Sequence, residues 1–252
     1  MKLHNKHAVV TGGGSGVGAA IALNLAKNKA KVTILGRRDK PLKEIANKHE
    51  NIDWRVCDVT NANDLEQCYK SIRKKFGKIN IVIANAGEAF SMPFHKMSAK
   101  DISSIMDINV IGVFNSFKYA LEDMESEGWG RMIAISSTAG LKGYSYVSAY
   151  CASKHAVIGL TRSLAMELAR KGITVNSVCP SYIDTPMTKR TIENITKLTN
   201  LSDEDAIKNL VSSNPQERLI QPSEVAETIS WICKETSNSI NGQSISISGG
   251  EI

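Results

Sequence analysis

The order of apolar patterns along the chain predicts a single α/β domain, a doubly wound parallel sheet with helices on both faces. Three observations carry that expectation. Apolar runs of strand length alternate with longer runs at helical period from residue 8 to residue 247, with no linker, repeat or low-complexity tract between them. The first strand and first helix are joined by a glycine cluster, Gly12-Gly-Gly-Ser-Gly-Val-Gly18, a turn that lets a strand feed a helix closely. At 252 residues the chain can bury about 75% of its unfolded surface, so residues 1–252 are read as one domain.

Composition excludes several classes. With 42% hydrophobic and 22% charged residues the chain is an ordinary globular protein, not a disordered or fibrous one. No apolar run is long enough for a bilayer, and the first seven residues carry no signal-peptide pattern, so no membrane and a cytoplasmic location are expected. Cys57, Cys68, Cys151, Cys179 and Cys233 are odd in number and lack metal-ligand spacing, which favours reduced thiols over bridges or a metal site. Cys151 adjoins Tyr150 but is read as buried packing. A net charge of +6 suits an anionic ligand. The basic residues are scattered without interleaved aromatics, so small-molecule phosphates are favoured over nucleic acid. Arg73 to Lys75 read as a solvated helix face.

Taken in order, residues 8–11 form a short strand, the glycine cluster follows, and residues 19–26 have a helical apolar pattern. Amides at such a helix N-terminus bind a pyrophosphate that the glycines allow to approach, a plain tight turn being the bland reading. The second strand, 31–35, ends in Gly36-Arg37-Arg38. A carboxylate there reads the ribose of NAD, whereas a guanidinium reads the 2′-phosphate of NADP. Two arginines, with Asp39 only later, point to NADP; NAD is the alternative, and solvated loop arginines the bland reading.

Helical patterns at 41–49 and 64–76 alternate with strands at 52–57 and 79–84. Asp58 and Asn85 close those strands, and strand C-terminal ends line the ligand crevice of a parallel sheet. Asp58 is therefore a candidate for an adenine amine and Asn85-Ala86-Gly87 for packing on a cofactor, unless they simply form turns or caps. A long helical stretch from 101 to about 127 holds Asn109, whose amide needs a partner, either backbone or a catalytic water.

The strand at 131–135 leads to Ser137, and an apolar periodic run reaching about residue 168 begins near Tyr150. Tyr150 and Lys154 stand four apart, one turn from each other on one helix face. A nearby ammonium favours phenolate, so Lys154 is expected to draw the Tyr150 titration towards neutrality. The Ser137 hydroxyl could then bond the same substrate oxygen. Alone, Tyr-x-x-x-Lys is equally a surface pair. A strand at 173–179 precedes Pro180-Ser-Tyr-Ile-Asp-Thr-Pro-Met187, and the polar, weakly amphipathic residues from about 187 to 214 read as a helical lid or a surface helix pair. A helix at 222–232 and a strand at 243–247 complete the alternation.

Together these motifs resemble the short-chain dehydrogenase/reductase family over essentially the whole chain, which implies a Rossmann-like fold and an oxidoreductase. The resemblance assigns Thr11-Gly12-x-x-x-Gly16-x-Gly18, with Ser15 and Val17, as the cofactor loop. It gives Asp58 and Val59 as the adenine contact and Asn85-Ala86-Gly87 as the sheet motif, with Ile183 and Thr185 holding the carboxamide. Asn109, Ser137, Tyr150 and Lys154 fall in order as the family's tetrad. In that scheme Tyr150 protonates a carbonyl oxygen as hydride reaches its carbon, and Ser137 stabilises the oxyanion. Lys154 binds the nicotinamide ribose, and Asn109 holds a water. Run backwards, the same groups oxidise an alcohol.

Ser181 departs from the usual glycine after the proline, and Ser248 from the usual acidic residue before Gly249-Gly250. The general look is to 3-oxoacyl-thioester reductases, through Asn176-Ser-Val-Cys-Pro180 and Asn214-Pro-Gln-Glu-Arg-Leu219, motifs shared with sugar, steroid and small-alcohol enzymes. Lys171, Lys189, Arg190 and Lys197 are candidates for the phosphates of CoA or an acidic carrier protein. The resemblance also implies a homotetramer, assembled through the helices carrying Asn109 and Tyr150 and through the last helix and strand. A non-catalytic NADP-binding scaffold is the reading from another class.

Overall fold

A computed structural model describes residues 3–252. Seven strands form one sheet: β1 (His7–Thr11), β2 (Lys31–Gly36), β3 (Ile52–Val56), β4 (Ile81–Ala84), β5 (Gly130–Ile135), β6 (Ile173–Pro180) and β7 (Ser244–Ile247). All pairings are parallel, in the order β3-β2-β1-β4-β5-β6-β7. The helices are α1 (Gly16–Lys27), α2 (Asp39–Ala46), α3 (Ala62–Phe76), α4 (Ala99–Met106), α5 (Gly112–Glu127), α6 (Ser148–Leu168), α7 (Pro186–Thr199), α8 (Asp203–Val211) and α9 (Pro222–Ile232). Chain order reverses between β1 and β4, which opens a crevice at the C-terminal strand ends.

The central strands are buried along their whole length because helices cover both faces. One layer packs α1, α2 and α9 on the sheet through Ile21, Leu25, Ile34, Ile83, Val225 and Ile229. The other packs α3, α5 and α6 through Leu65, Ile72, Val82, Phe117, Val157 and Leu168. Each such buried side chain contributes roughly 1.5–3 kcal/mol against exposure.

Two expectations are corrected. The helical stretch from 101 to 127 is not one α-helix: α4 and α5 are joined by a π-helical turn, Asp107–Ile111, with Asn109 fully buried inside it. Arg73 and Lys75 are not merely solvated. Arg73 Nε donates to both oxygens of Asp123 at 3.0 and 2.8 Å, Lys75 pairs with Asp53 at 2.9 Å, and Asp123 also accepts the Ile79 amide at 2.9 Å. Lys171 sits just before β6, at the N-terminal end of the strands and so at the opposite end of the sheet from the crevice, and pairs with the exposed Glu125.

All five cysteines are buried and unbridged. Among the described residues, no helix is long and apolar enough to cross a membrane, and no group of three or more His, Cys, Asp or Glu could hold a metal.

Candidate active site

The crevice floor is tied together before any ligand arrives. Thr11 Oγ1, at the end of β1, accepts the amides of Asn85 and Ala86 at 3.0 and 2.9 Å. Asn85 Nδ2 returns bonds to the carbonyls of Thr11 and Gly12 at 2.9 and 3.3 Å. The Asn85 side chain is thus spent on shaping the glycine loop. Gly18 is required by close approach, since a Cβ there would stand 2.4 Å from the Gly12 carbonyl oxygen and 2.6 Å from Asn85 Nδ2.

The loop feeds α1 at Gly16. Ser15 occupies the N-cap in extended conformation, exposed, with no side-chain capping bond, and the first turn of α1 holds no acidic residue. Val17 is buried beneath, and Gly16 faces Thr185 across a gap that a Cβ would close to 3.3 Å. A free hydroxyl and free helix N-terminal amides at the point where strand order reverses suit a pyrophosphate, so the residues present fit a dinucleotide.

Arg37 and Arg38 leave the end of β2 at the rim. Arg37 forms an ion pair with Glu88, which follows the Asn85-Ala86-Gly87 turn, so its guanidinium spans the crevice mouth; Arg38 is the N-cap of α2. Asp58 Oδ1 accepts the amide and hydroxyl of Thr60 at 3.0 and 2.8 Å and shapes the turn after β3. Val59 is buried against Gly112 of α5, and Asn115 Nδ2 donates to its carbonyl at 3.0 Å. Ile183 bridges to Ile220, and Thr185 caps α7 by accepting the Thr188 amide at 3.3 Å.

Ser137, Tyr150 and Lys154 gather where β5 ends and α6 begins. Ser137 Oγ accepts the Ala139 amide at 3.1 Å and lies 3.4 Å from the Pro180 carbonyl. Lys154 is buried, donates to the Ile135 carbonyl at 2.8 Å and stands 5.5 Å from the ring centre of Tyr150. Burial pushes the Tyr150 phenol up to about 12, opposed by the Ser137 hydroxyl beside it, and burial pulls Lys154 down to about 8. Burial thus raises the Tyr150 phenol, against the expected downward pull, and the Lys154 ammonium, turned to the Ile135 carbonyl, is not among the groups that oppose it.

Asn109 has its backbone partner. Its Oδ1 accepts the Glu88 amide at 2.9 Å, and its Nδ2 donates to the Glu88 carbonyl and to Ser153 Oγ, both at 3.0 Å. Of the two partners considered for this amide, backbone or water, the side chain has taken protein. Gly87 lies against both Asn109 Oδ1 and the Lys154 ammonium.

Four residues around the site carry no motif of their own. Ser153, fully buried, receives Asn109 and donates to the Tyr150 carbonyl at 2.8 Å, and Ser136 donates to the Lys154 carbonyl at 3.1 Å. Their positions beside Lys154 and Ser137 were the one available signal. Tyr144 and Glu251, described below, had none.

A family model described as short chain dehydrogenase matches residues 6–196. A 3-oxoacyl-acyl-carrier-protein reductase of Rickettsia bellii is 32% identical, the match covering 98% of this chain and 97% of that one. A 3beta-hydroxysteroid dehydrogenase of Mediterraneibacter gnavus is 31% identical over 99% of this chain and 95% of its own length. A solved structure of a variant actinorhodin polyketide ketoreductase with NADPH superposes with a TM-score of 0.94 at 31% identity, covering 98% of this chain and 97% of that one.

Proposed function

The chain belongs to the short chain dehydrogenase family of oxidoreductases, and from that premise we propose that it reduces the ketone of a 3-oxoacyl thioester with NADPH. The observation that carries the reading is the meeting of Ser137, Tyr150 and Lys154 beside the glycine loop at one end of the sheet. When bound, NADPH supplies the hydride. Ser15, Gly16 and the first amides of α1 would hold its pyrophosphate, Arg37 and Arg38 its 2′-phosphate, and Asp58 and Val59 its adenine end. Ile183 and Thr185 would meet its nicotinamide end.

Tyr150 donates the proton that the carbonyl oxygen takes up, and at an upward-shifted titration it enters the reaction protonated. The Ser137 hydroxyl stabilises the developing oxyanion. Lys154, which donates to the Ile135 carbonyl, would hold the ribose of the bound cofactor. Asn109 is a positioning group that fixes the turn at Glu88 and, through Ser153, the first turn of α6.

An apolar acyl substrate is supported by exposed apolar side chains on segments flanking the crevice: Phe94, 77% exposed, Tyr146, and Met187 and Leu198 of α7. The helices α7 and α8 are the proposed lid, and Lys189, Arg190 and Lys197 of α7 are solvent-facing groups for the phosphates of CoA or a carrier protein. A homotetramer is supported by exposed Ile111 at the end of the π-helical turn, Phe114 of α5, Met166 of α6 and Trp231 of α9. The second reading is a different secondary alcohol, since the steroid dehydrogenase relative is as similar as the oxoacyl reductase.

The test is nicotinamide absorbance with purified protein, offering NADPH and NADH separately against 3-oxoacyl thioesters, diketones, steroids and small aldehydes. Faster NADPH loss with the thioester supports the proposal. Turnover confined to another carbonyl overturns the substrate. Cofactor binding without any turnover favours a binding scaffold.

A further inference from the structure

Glu251, in the segment after β7, has a side chain only 1% exposed, and its two oxygens are the meeting point of three separate parts of the chain. Oε1 pairs with Lys142 at 2.8 Å, accepts Ser213 Oγ at 2.8 Å and bonds the Tyr144 phenol. Oε2 accepts Ser181 Oγ at 2.5 Å. Lys142 and Tyr144 belong to the loop between Ser137 and Tyr150, Ser181 follows Pro180, whose carbonyl contacts Ser137, and Ser213 lies just beyond α8 of the proposed lid. Tyr144 also lies 2.7 Å from Thr138 Oγ1, one residue from Ser137.

The segment carrying Glu251 is itself anchored. Gly249 has φ +64, and a Cβ there would overlap Asn214 Oδ1 at 2.0 Å, so the chain passes directly against Asn214. Ser248 is buried and bonds both the amide and the carbonyl of Ile252, at 3.3 and 3.4 Å.

We propose that Glu251 is a positioning residue for ketone reduction, its buried carboxylate fixing the Ser137–Tyr150 loop, the strand end at Ser181 and the lid base in one arrangement. This rests on the reaction proposed above. It also gives Ser181 a purpose that a glycine could not serve, because only a side-chain hydroxyl reaches Oε2. Desolvation alone would push the carboxyl up, but Lys142, Ser181, Tyr144 and Ser213 together hold it down at about 2, so the tether stays ionised across the working pH range. A buried carboxylate is retained only when its lone pairs are met in this way.

The test compares the full chain with Glu251→Gln, which keeps the volume but loses the ion pair, and Glu251→Ala. Hydrogen exchange on the unliganded proteins is expected to rise about tenfold or more at residues 138–147 and 181–185 with β1 and β4 unchanged. In turnover assays the variants lose about tenfold or more in kcat while NADPH affinity, read by fluorescence, stays within about twofold. Tyr144→Phe combined with Glu251→Ala is expected to be no worse than Glu251→Ala alone, as members of one network are not additive. Unchanged exchange in the two segments overturns the proposal, and so does unchanged kcat. A wild type that reduces no ketone while exchange still rises in the variants counts against the proposed reaction and for the tether.

Discussion

Lys154 carries its ammonium 5.5 Å from the ring centre of Tyr150 yet donates to the Ile135 carbonyl at 2.8 Å. In this arrangement the phenol is raised by burial, up to about 12, and not lowered by its neighbour. The tyrosinate absorbance lost in Tyr150→Phe is therefore expected to appear near pH 12 in the free protein, well above the range in which Lys154 loses its own proton. A phenolate already formed near neutrality in the free protein would contradict the burial argument. Tyr150→Phe is expected to abolish turnover with NADPH binding intact.

Lys154 is also a stability cost. Its folded titration, about 8, lies below the ordinary lysine value of 10.5, so the unfolded chain binds the proton more tightly between those values. The cost is complete below pH 8 and is relieved as pH rises towards 10.5. Lys154→Met is expected to raise Tm by about 2–4 °C at pH 7, the gain shrinking steadily above pH 8, and to remove activity. Calorimetry across pH 6 to about 10 checks both signs; a variant less stable than wild type at pH 7 would refute the cost.

The ion pair of Arg37 with Glu88 is exposed on both sides, so it restrains the guanidinium only weakly. Arg37→Ala with Arg38→Ala is expected to weaken NADPH at least about tenfold and NADH little. Glu88→Gln frees Arg37 and should tighten NADPH by about twofold to fivefold. Fluorescence titration with each nucleotide measures both, and equal losses for NADPH and NADH in the arginine double variant would remove the basis for the cofactor preference.

Asp123 accepts two bonds from Arg73 and one from the Ile79 amide while only 8% exposed. Removing it leaves the buried Ile79 amide and the Arg73 Nε without partners, while Arg73 Nη2 keeps the Tyr119 carbonyl at 2.5 Å. Asp123→Ala is expected to cost about 3 kcal/mol or more by urea denaturation, with Asp123→Asn recovering part through the Ile79 bond. A change under about 0.5 kcal/mol would mean that water replaces the pair.

The sheet, its alternation with helices and the glycine turn between β1 and α1 were legible because each depends on local spacing: period two or continuous apolar runs for strands, period 3.6 for helices, glycine where a strand turns closely into a helix. Ser137, Tyr150 and Lys154 were legible for the same reason, being placed by one strand end and one helix turn. Asn109 was found, but its π-helical turn was not, since an apolar pattern continues through an extra residue in a turn without a break.

What the sequence by itself determined is therefore the architecture and which side chains the crevice collects. Only the tertiary structure decided which partners they take: Lys154 with Ile135, Arg37 with Glu88, Arg73 with Asp123, and Glu251 with Lys142, Tyr144, Ser181 and Ser213. The physical reason is that these pairings join residues from 19 to more than 100 positions apart. Their strength depends on desolvation, which strand register and helix packing set and no local pattern encodes.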